Sequence, residues 1–245
     1  MGKFFSLDSP VMSFLNKVAD LMILNLLYFF CSLPIITIGA TTTALYYVTL
    51  KMVRNEESYI VKGFFKSFKQ NFKQATVMWI IDLIILGIFM ADFAVITGKV
   101  GGVEFPSTTF STIMKVLLLS AAILILFTFT FSFPVLSKFD NTIKNTYKNS
   151  FIMSIRHFPT TIVTIILWGV CLFLLAVMPQ LLIFAVILLF SVIAYITSML
   201  FVKNFDKYIS TEDMENTTGI DDMDWHVNKE NEENSQESDT VKSES

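Results

Sequence analysis

Long apolar runs constrain this chain more than any other sequence feature. Four of them lie at about residues 75–96, 113–137, 160–178 and 180–202. A transmembrane helix needs about 20 mainly apolar residues, so each run is long enough to cross a bilayer. The composition agrees, because 53% of the residues are hydrophobic and only 16% are charged, against about 25% charged in soluble domains. The sequence therefore predicts an all-α membrane protein.

Two further segments near the N-terminus decide the number of spans. The run 14–33 is interrupted only by Lys17, Asp20 and Asn25, and it stops before Pro34. The following stretch, 35–50, is uncharged but rich in threonine, so it is either a short sixth span or a re-entrant segment. We therefore expect a bundle of five or six transmembrane helices.

The distribution of lysine and arginine predicts the orientation of these spans. The segments 51–73 and 138–159 are basic, whereas 97–112 carries only Lys99 and the turn near 179 carries no charge. By the positive-inside rule the two basic segments and the C-terminal tail are cytoplasmic. Six spans also place the N-terminus in the cytoplasm, so charge favours six. We expect a multi-pass protein of the bacterial cytoplasmic membrane.

The charge of the chain divides it into two parts. Residues 1–208 carry 16 basic and 9 acidic side chains, whereas residues 209–245 carry 2 basic and 12 acidic ones. The second part is rich in Glu, Asp, Asn and Ser and poor in apolar residues, a composition typical of disorder. The sequence predicts a membrane domain, 1–208, and a disordered acidic tail, 209–245. This tail either contacts basic cytoplasmic loops or is solvated without a fixed partner.

Four lysines form a strip in the basic segment that precedes the run 75–96. Lys62, Lys66, Lys69 and Lys73 follow the spacing i, i+4, i+7 and i+11, which places them within a strip about 60° wide on a helix. Phenylalanines occupy roughly the opposite side, as in helices that lie at a membrane surface. The strip is a candidate docking face for a cytoplasmic partner or for anionic lipid head groups; alternatively it only marks topology. A similar stripe, Tyr147, Phe151, Ile155 and Phe158, predicts a second amphipathic cytoplasmic helix, with Lys144 and Lys148 beside the stripe.

Two polar residues inside the predicted spans are candidates for an intramembrane site. Asp82 lies seven residues into the run 75–96, about 10 Å along the helix. An ionisable group at such depth usually faces a partner, a cavity or an ion path. Asp82 is therefore either a substrate or ion site, or a structural residue hydrogen-bonded to Asn25 or to a threonine of 35–50.

Composition argues against an enzyme. The two cysteines, Cys31 and Cys171, lie in apolar runs, and the only histidines are His157 and His226. These numbers argue against a His/Cys zinc site and a Ser-His-Asp triad, and the chain contains no P-loop motif. We expect no cofactor, no metal, no catalytic residues and no nucleic-acid partner.

The N-terminal third carries a family resemblance. The stretch NKVADLMILNLLYFFCSLPIITIGATTTALYYVTLKMVRNEES (16–58), followed by FFKSFKQNFKQAT (64–76), resembles the YesL-like family of bacterial integral membrane proteins, a domain of unknown function. The resemblance covers roughly residues 10–205. It implies a link to carbohydrate uptake and plant-polysaccharide use, but no catalytic residues.

Three functions follow from these observations. The first is an accessory or interaction protein that works with a sugar transport system or a sensor in the same membrane. The second is a transport component in its own right. Asp82 favours it, and so do two similar units of two spans each, 64–140 and 149–206, which would form parallel helical hairpins. The third is a membrane enzyme, for which the sequence offers no acid/base or nucleophile pair.

Overall fold

The computed structural model describes residues 10–56, 59–97 and 108–206. Its helices are α1 (Pro10–Ser32), α2 (Ile38–Val53), α3 (Ile60–Ile96), α4 (Thr108–Lys138), α5 (Ile143–Arg156), α6 (Phe158–Val177), α7 (Leu182–Phe184) and α8 (Phe190–Phe205). The described residues contain no strand, so the predicted all-α class is confirmed. The acidic tail, 209–245, lies outside the described residues.

Five helical segments of the described chain are long and apolar enough to cross a membrane: Val11–Ser32, Ile60–Ile96, Thr109–Lys138, Phe158–Val177 and Pro179–Phe205. They contain the five apolar runs that the sequence analysis identified, to within one residue at the C-terminal ends of the first and fourth runs. The stretch 35–50 forms a 3₁₀ turn followed by α2, which has only 16 residues and measures about 24 Å. By length and composition the described residues therefore hold five candidate spans, and α2 falls short of the usual length of a sixth.

The helix α2 runs back along α1 and forms a hairpin with it. Lys17 of α1 donates a hydrogen bond of 3.3 Å to the Oδ1 of Asn55, which follows α2. Asn55 has a positive φ of 55°, and the amide of Glu56 bonds the carbonyl of Lys51 at 3.1 Å, the pattern of a Schellman ending. The hairpin therefore begins and ends on the same side of the bundle.

The helix α2 is the centre of the fold. Eleven of its residues are buried, and it packs antiparallel to the first half of α3. At one end of the contact, a Cβ added to Gly63 would lie 3.7 Å from Val48; at the other, a Cβ added to Gly39 would lie 2.5 Å from the carbonyl oxygen of Ala75. Gly39 therefore marks a backbone-to-backbone approach that leaves no room for a side chain.

The lysine strip and the span that follows it form one helix. The sequence analysis predicted a surface helix over the lysines, with phenylalanines among acyl chains, and a separate span 75–96. In the structure α3 is continuous for 37 residues. Phe64 is fully buried, and Phe68 packs against a cluster that includes Ala40 and Met78. The surface-helix interpretation is wrong for these two rings, because α2 covers that side of α3.

The predicted second amphipathic helix exists as α5, and three of the four residues of its apolar stripe face outward, whereas Tyr147 is half-buried. Phe151 and Ile155 of α5, and Phe158 just after it, are exposed, whereas the buried residues are Thr146, Ser150, Met153 and Ser154. Small side chains let helices approach closely, so the small residues of α5 lie on its packed side and the bulky ones on its outer side. Lys144 and Lys148 are also exposed, as expected.

Candidate functional site

Asn25 binds the last helical segment, and the binding site is a break in that segment. The chain forms a 3₁₀ turn at Pro179–Leu181, then α7, then a π-helix at Ala185–Leu189 that leads into α8. The Nδ2 of Asn25 donates to the carbonyl oxygens of Ala185 at 2.8 Å and Val186 at 2.6 Å. Its Oδ1 accepts the backbone N–H of Ser191 at 2.8 Å.

These bonds use both kinds of group that an amide side chain offers. An asparagine has two N–H donors and one carbonyl acceptor, and Asn25, which is 0% exposed, employs each of them. A side chain that inserts into the hydrogen-bond ladder of a helix is one of the known causes of a helix irregularity. Asn25 is thus a structural partner of the last segment.

Asp82 is bound to α5. The phenolic O–H of Tyr147 lies 2.9 Å from Asp82 Oδ1 and 3.1 Å from the carbonyl oxygen of Met78. Burial, and secondly the charge of Asp82, raise the pKa of the Tyr147 phenol above its usual range. The phenol therefore remains a hydrogen-bond donor at any physiological pH.

The two predicted site residues do not meet. The sequence analysis offered Asn25 or a threonine of 35–50 as the hydrogen-bond partner of Asp82, and the structure gives Tyr147 instead. Those threonines have other partners; for example, Thr43 bonds the carbonyl of Gly39 at 2.9 Å and Thr37 bonds the carbonyl of Pro34 at 2.7 Å. Asn25 joins α1 to the last segment and Asp82 joins α3 to α5, so there is no joint Asp82–Asn25 site.

One atom of Asp82 has an unusual environment. Its Oδ2 is buried and makes no hydrogen bond to any of the residues that the structure describes. Buried carboxylate oxygens normally have a partner, because an unpaired buried acceptor costs about 1–3 kcal/mol. This oxygen is the part of the candidate site with unused binding capacity.

The lysine strip faces away from the protein. Lys62, Lys69 and Lys73 are exposed and Lys66 is half-buried. Just beyond the strip, the Nε2 of Gln74 donates to the carbonyl of Asn141 at 2.6 Å, which ties this part of α3 to the start of α5. The strip is therefore held on a helix that is packed on its other side.

Within the described ranges, no group of three or more His, Cys, Asp or Glu side chains is placed to hold a metal ion. Cys31 and Cys171 are both free thiols. Among the described residues, the basic strip and the two polar contacts are candidates for a functional role.

Sequence reasoning missed Tyr147, Ser191 and the Tyr46–Trp168 contact. The indole N–H of Trp168 donates to the hydroxyl of Tyr46 at 3.3 Å, and so connects α6 to the buried α2. Tyr147 had been noted only as part of an apolar stripe. Its hydroxyl was the available signal, because a buried tyrosine usually hydrogen-bonds through it.

Comparison with known proteins gives a partial match. No curated protein and no solved structure matches the chain. A family model described as "Protein of unknown function, DUF624" matches residues 21–93. The matched range holds the second half of α1, all of α2 and most of α3, and so includes Asn25, Gly39, Asp82 and the lysine strip. Over this range the chain is similar to a family of unknown function whose model covers the α1–α2 hairpin and the helix packed against it.

Proposed function

We propose that this helical membrane-type protein is an accessory or interaction component of the bacterial cytoplasmic membrane, linked to carbohydrate uptake or utilisation. In this role it binds other components and carries out no chemistry. The resemblance to the YesL-like family supports the carbohydrate link and the bacterial origin. The basic segments support an orientation with the lysine strip and the C-terminal tail in the cytoplasm.

The observation that carries this proposal is that some polar groups bond other segments of the bundle whereas others point outward. Asn25 and Asp82 each hydrogen-bond a residue of another segment, so they serve the assembly of the bundle. The lysines of α3 instead point outward from a packed helix, with Lys69 and Lys73 exposed. A rigid, charged, outward face is what a binding partner or an anionic membrane surface would recognise.

Two ligands fit this face. Each lysine near an anionic leaflet contributes about 1 kcal/mol of attraction, so lipid head groups can hold the strip at the surface. An acidic cytoplasmic surface of a sugar permease or sensor kinase can use the same lysines. Of these two ligands, binding to the protein surface is the one that would make this chain an accessory component.

Purification of the tagged protein from native membranes in mild detergent tests the proposal. We expect a stoichiometric sugar permease or sensor to co-purify, and expect Lys69→Gln with Lys73→Gln to reduce its yield several-fold. Lys115→Gln is the matched control, because Lys115 is an exposed lysine on a different helix, α4. A partner that is retained equally by both variants would remove the lysine strip from the proposal, and repeated purification without a partner would refute the accessory role.

A transport component is the second candidate, and it is favoured by the Oδ2 of Asp82, which has no hydrogen-bond partner in the described part of the chain. A buried carboxylate oxygen with no protein partner can accept a hydrogen bond from a substrate, or bind a cation. Asp82→Asn removes the charge and keeps the size of the side chain. Loss of substrate flux with normal expression would support a transporter, whereas unchanged flux in reconstituted vesicles would exclude Asp82 as a transport residue.

A further inference from the structure

The π-helix in the last segment is the feature with the most specific contacts outside its own helix. In an α-helix the carbonyls of Ala185 and Val186 would accept the amides four residues later. Here both carbonyls accept the side-chain Nδ2 of Asn25, and the amide of Ser191 donates to Asn25 Oδ1. The side chain of Asn25 therefore occupies a position in the backbone ladder of another helix.

A π-helix holds one residue more per turn than the α-helix that would replace it, and such turns occur often at functional positions. The extra residue is accommodated because the side-chain amide of Asn25 hydrogen-bonds the backbone carbonyl and N–H groups that the wider turn places too far apart to bond each other. If that amide is withdrawn, the ladder can close again as an α-helix. Closure rotates α7 against α8 by about one residue, or roughly 100° around the helix axis.

We propose that Asn25 is a register lock: it holds the last segment in the π register, and movement of α1 releases the segment into an α register. The side of α7 that faces outward differs between the two registers. Leu182, Ile183 and Phe184 of α7 are each more than half exposed in the locked state, and rotation would turn this apolar surface to another side. The position of α1 is thereby coupled to the orientation of α7.

A second contact between the same helices provides a control. The hydroxyl of Ser191 lies 2.7 Å from the carbonyl oxygen of Leu21 on α1 and 2.9 Å from that of Leu188 in its own segment, and neither bond involves Asn25. Ser191→Ala therefore loosens α1 from the last segment but leaves the Asn25 bonds intact. Asn25→Leu keeps the approximate size of the side chain and removes the bonds that bridge the ladder.

Spin-label distances in the full-length protein test the lock. In a background where Cys31 and Cys171 are replaced, labels at Phe30 and Ile183 (64% and 66% exposed) report the orientation of α7 relative to α1. We expect one distance for the unsubstituted background and for Ser191→Ala. Asn25→Leu should shift it by up to about 8 Å, since a side chain about 5 Å from the axis turns by roughly 100°. An unchanged distance in a folded Asn25→Leu protein would overturn the proposal.

A deletion keeps the test decisive if Asn25→Leu alone does not fold. Deleting Ile187 removes the extra residue of the π turn, so the ladder closes while α7 keeps its original orientation. Asn25 then has no partner, and the deletion alone should lower thermal stability. Adding Asn25→Leu to the deletion should restore part of that stability and leave the distance as in the background protein. A combined variant less stable than the deletion alone would contradict the register lock.

Discussion

Replacement of Gly39 by alanine tests the central packing contact of the fold. A Cβ at this position would lie 2.5 Å from the carbonyl oxygen of Ala75, 2.7 Å from the Cβ of Trp79 and 3.1 Å from a ring carbon of Phe133. Ordinary contact begins at 3.4 Å. The first two neighbours are a backbone atom and a Cβ, which cannot swing aside, so α2 must move away from α3.

The magnitude follows from three opposing contributions. Overpacking costs about 1–3 kcal/mol. Separation of α2 from α3 also weakens the hydrogen bond of 2.8 Å from the Trp79 indole to the carbonyl of Ile35, which contributes about 1 kcal/mol. The substitution also stabilises α2 by about 1 kcal/mol, because alanine is a better helix former than glycine. The net loss in the free energy of unfolding is therefore about 2 kcal/mol.

Gly87→Ala is the matched control, because Gly87 lies in α3 and a Cβ there would meet no atom within 4 Å. This control should gain up to about 1 kcal/mol from helix propensity alone. The assay is thermal unfolding of both variants in the same detergent. At about 2–4 °C per kcal/mol for a chain of this size, Gly39→Ala should lower the midpoint by about 4–8 °C. Equal midpoints for the two variants would refute the close approach of α2 to α3.

Substitutions at three further positions test the contacts around the candidate site and the hairpin. Asp82→Asn should retain most of the thermal stability, because an amide still bonds Tyr147, whereas Asp82→Leu leaves the phenol with Met78 alone and should cost about 1–3 kcal/mol; equal midpoints would show that this bond contributes nothing. Asn55→Gly should be neutral or stabilising and Asn55→Val destabilising by about 1–2 kcal/mol, since its φ of 55° disfavours β-branched residues; the reverse order would contradict the Schellman ending. Trp79→Phe should lower the midpoint by removing the bond to Ile35, and an unchanged midpoint would mean that this bond is not formed in detergent.

The spans could be predicted from the sequence because they depend on local composition. A run of about 20 apolar residues has few alternatives to a spanning helix, since each backbone group in lipid must be satisfied within its own segment. The helix α2 was harder to interpret, because its threonines look polar in the sequence. In the structure Thr49 bonds the carbonyl of Leu45 at 3.0 Å, so its hydroxyl is satisfied within the helix and can be buried.

The contacts of the candidate site could not be predicted in the same way. Asp82 and Tyr147 are 65 positions apart, and Asn25 and Ala185 are 160 apart. Such pairs depend on which helices pack together and on how far each helix is shifted along the axis of the bundle. A single sequence contains no signal for either. The side on which α5 packs was not predicted, for a related reason. Periodicity locates an apolar stripe, but in a membrane protein an apolar stripe can face lipid, and small residues such as Ser150 take the packed side.

The hairpin of α1 and α2 also bears on the orientation of the chain. The side chain of Lys17 reaches Asn55, so the chain leaves α2 on the side from which it entered α1. The helix α2 is shorter than a typical span. Because it runs back along α1, the N-terminal end of α1 and the start of α3 nevertheless lie on the same side. The charge-based preference for six spans requires this arrangement. The basic residues Arg54 and Lys62 then lie on that side as well.

Cysteine labelling in intact cells tests this shared side. In a background without Cys31 and Cys171, single cysteines at Phe14 and Tyr59, which are 67% and 84% exposed, should react alike with a membrane-impermeant reagent. By the positive-inside rule we expect both to be protected in intact cells and labelled after permeabilisation. Labelling of both in intact cells would keep the hairpin and invert the orientation. Labelling of Phe14→Cys alone would mean that α2 does not return across the bilayer, because then only α1 separates the two positions.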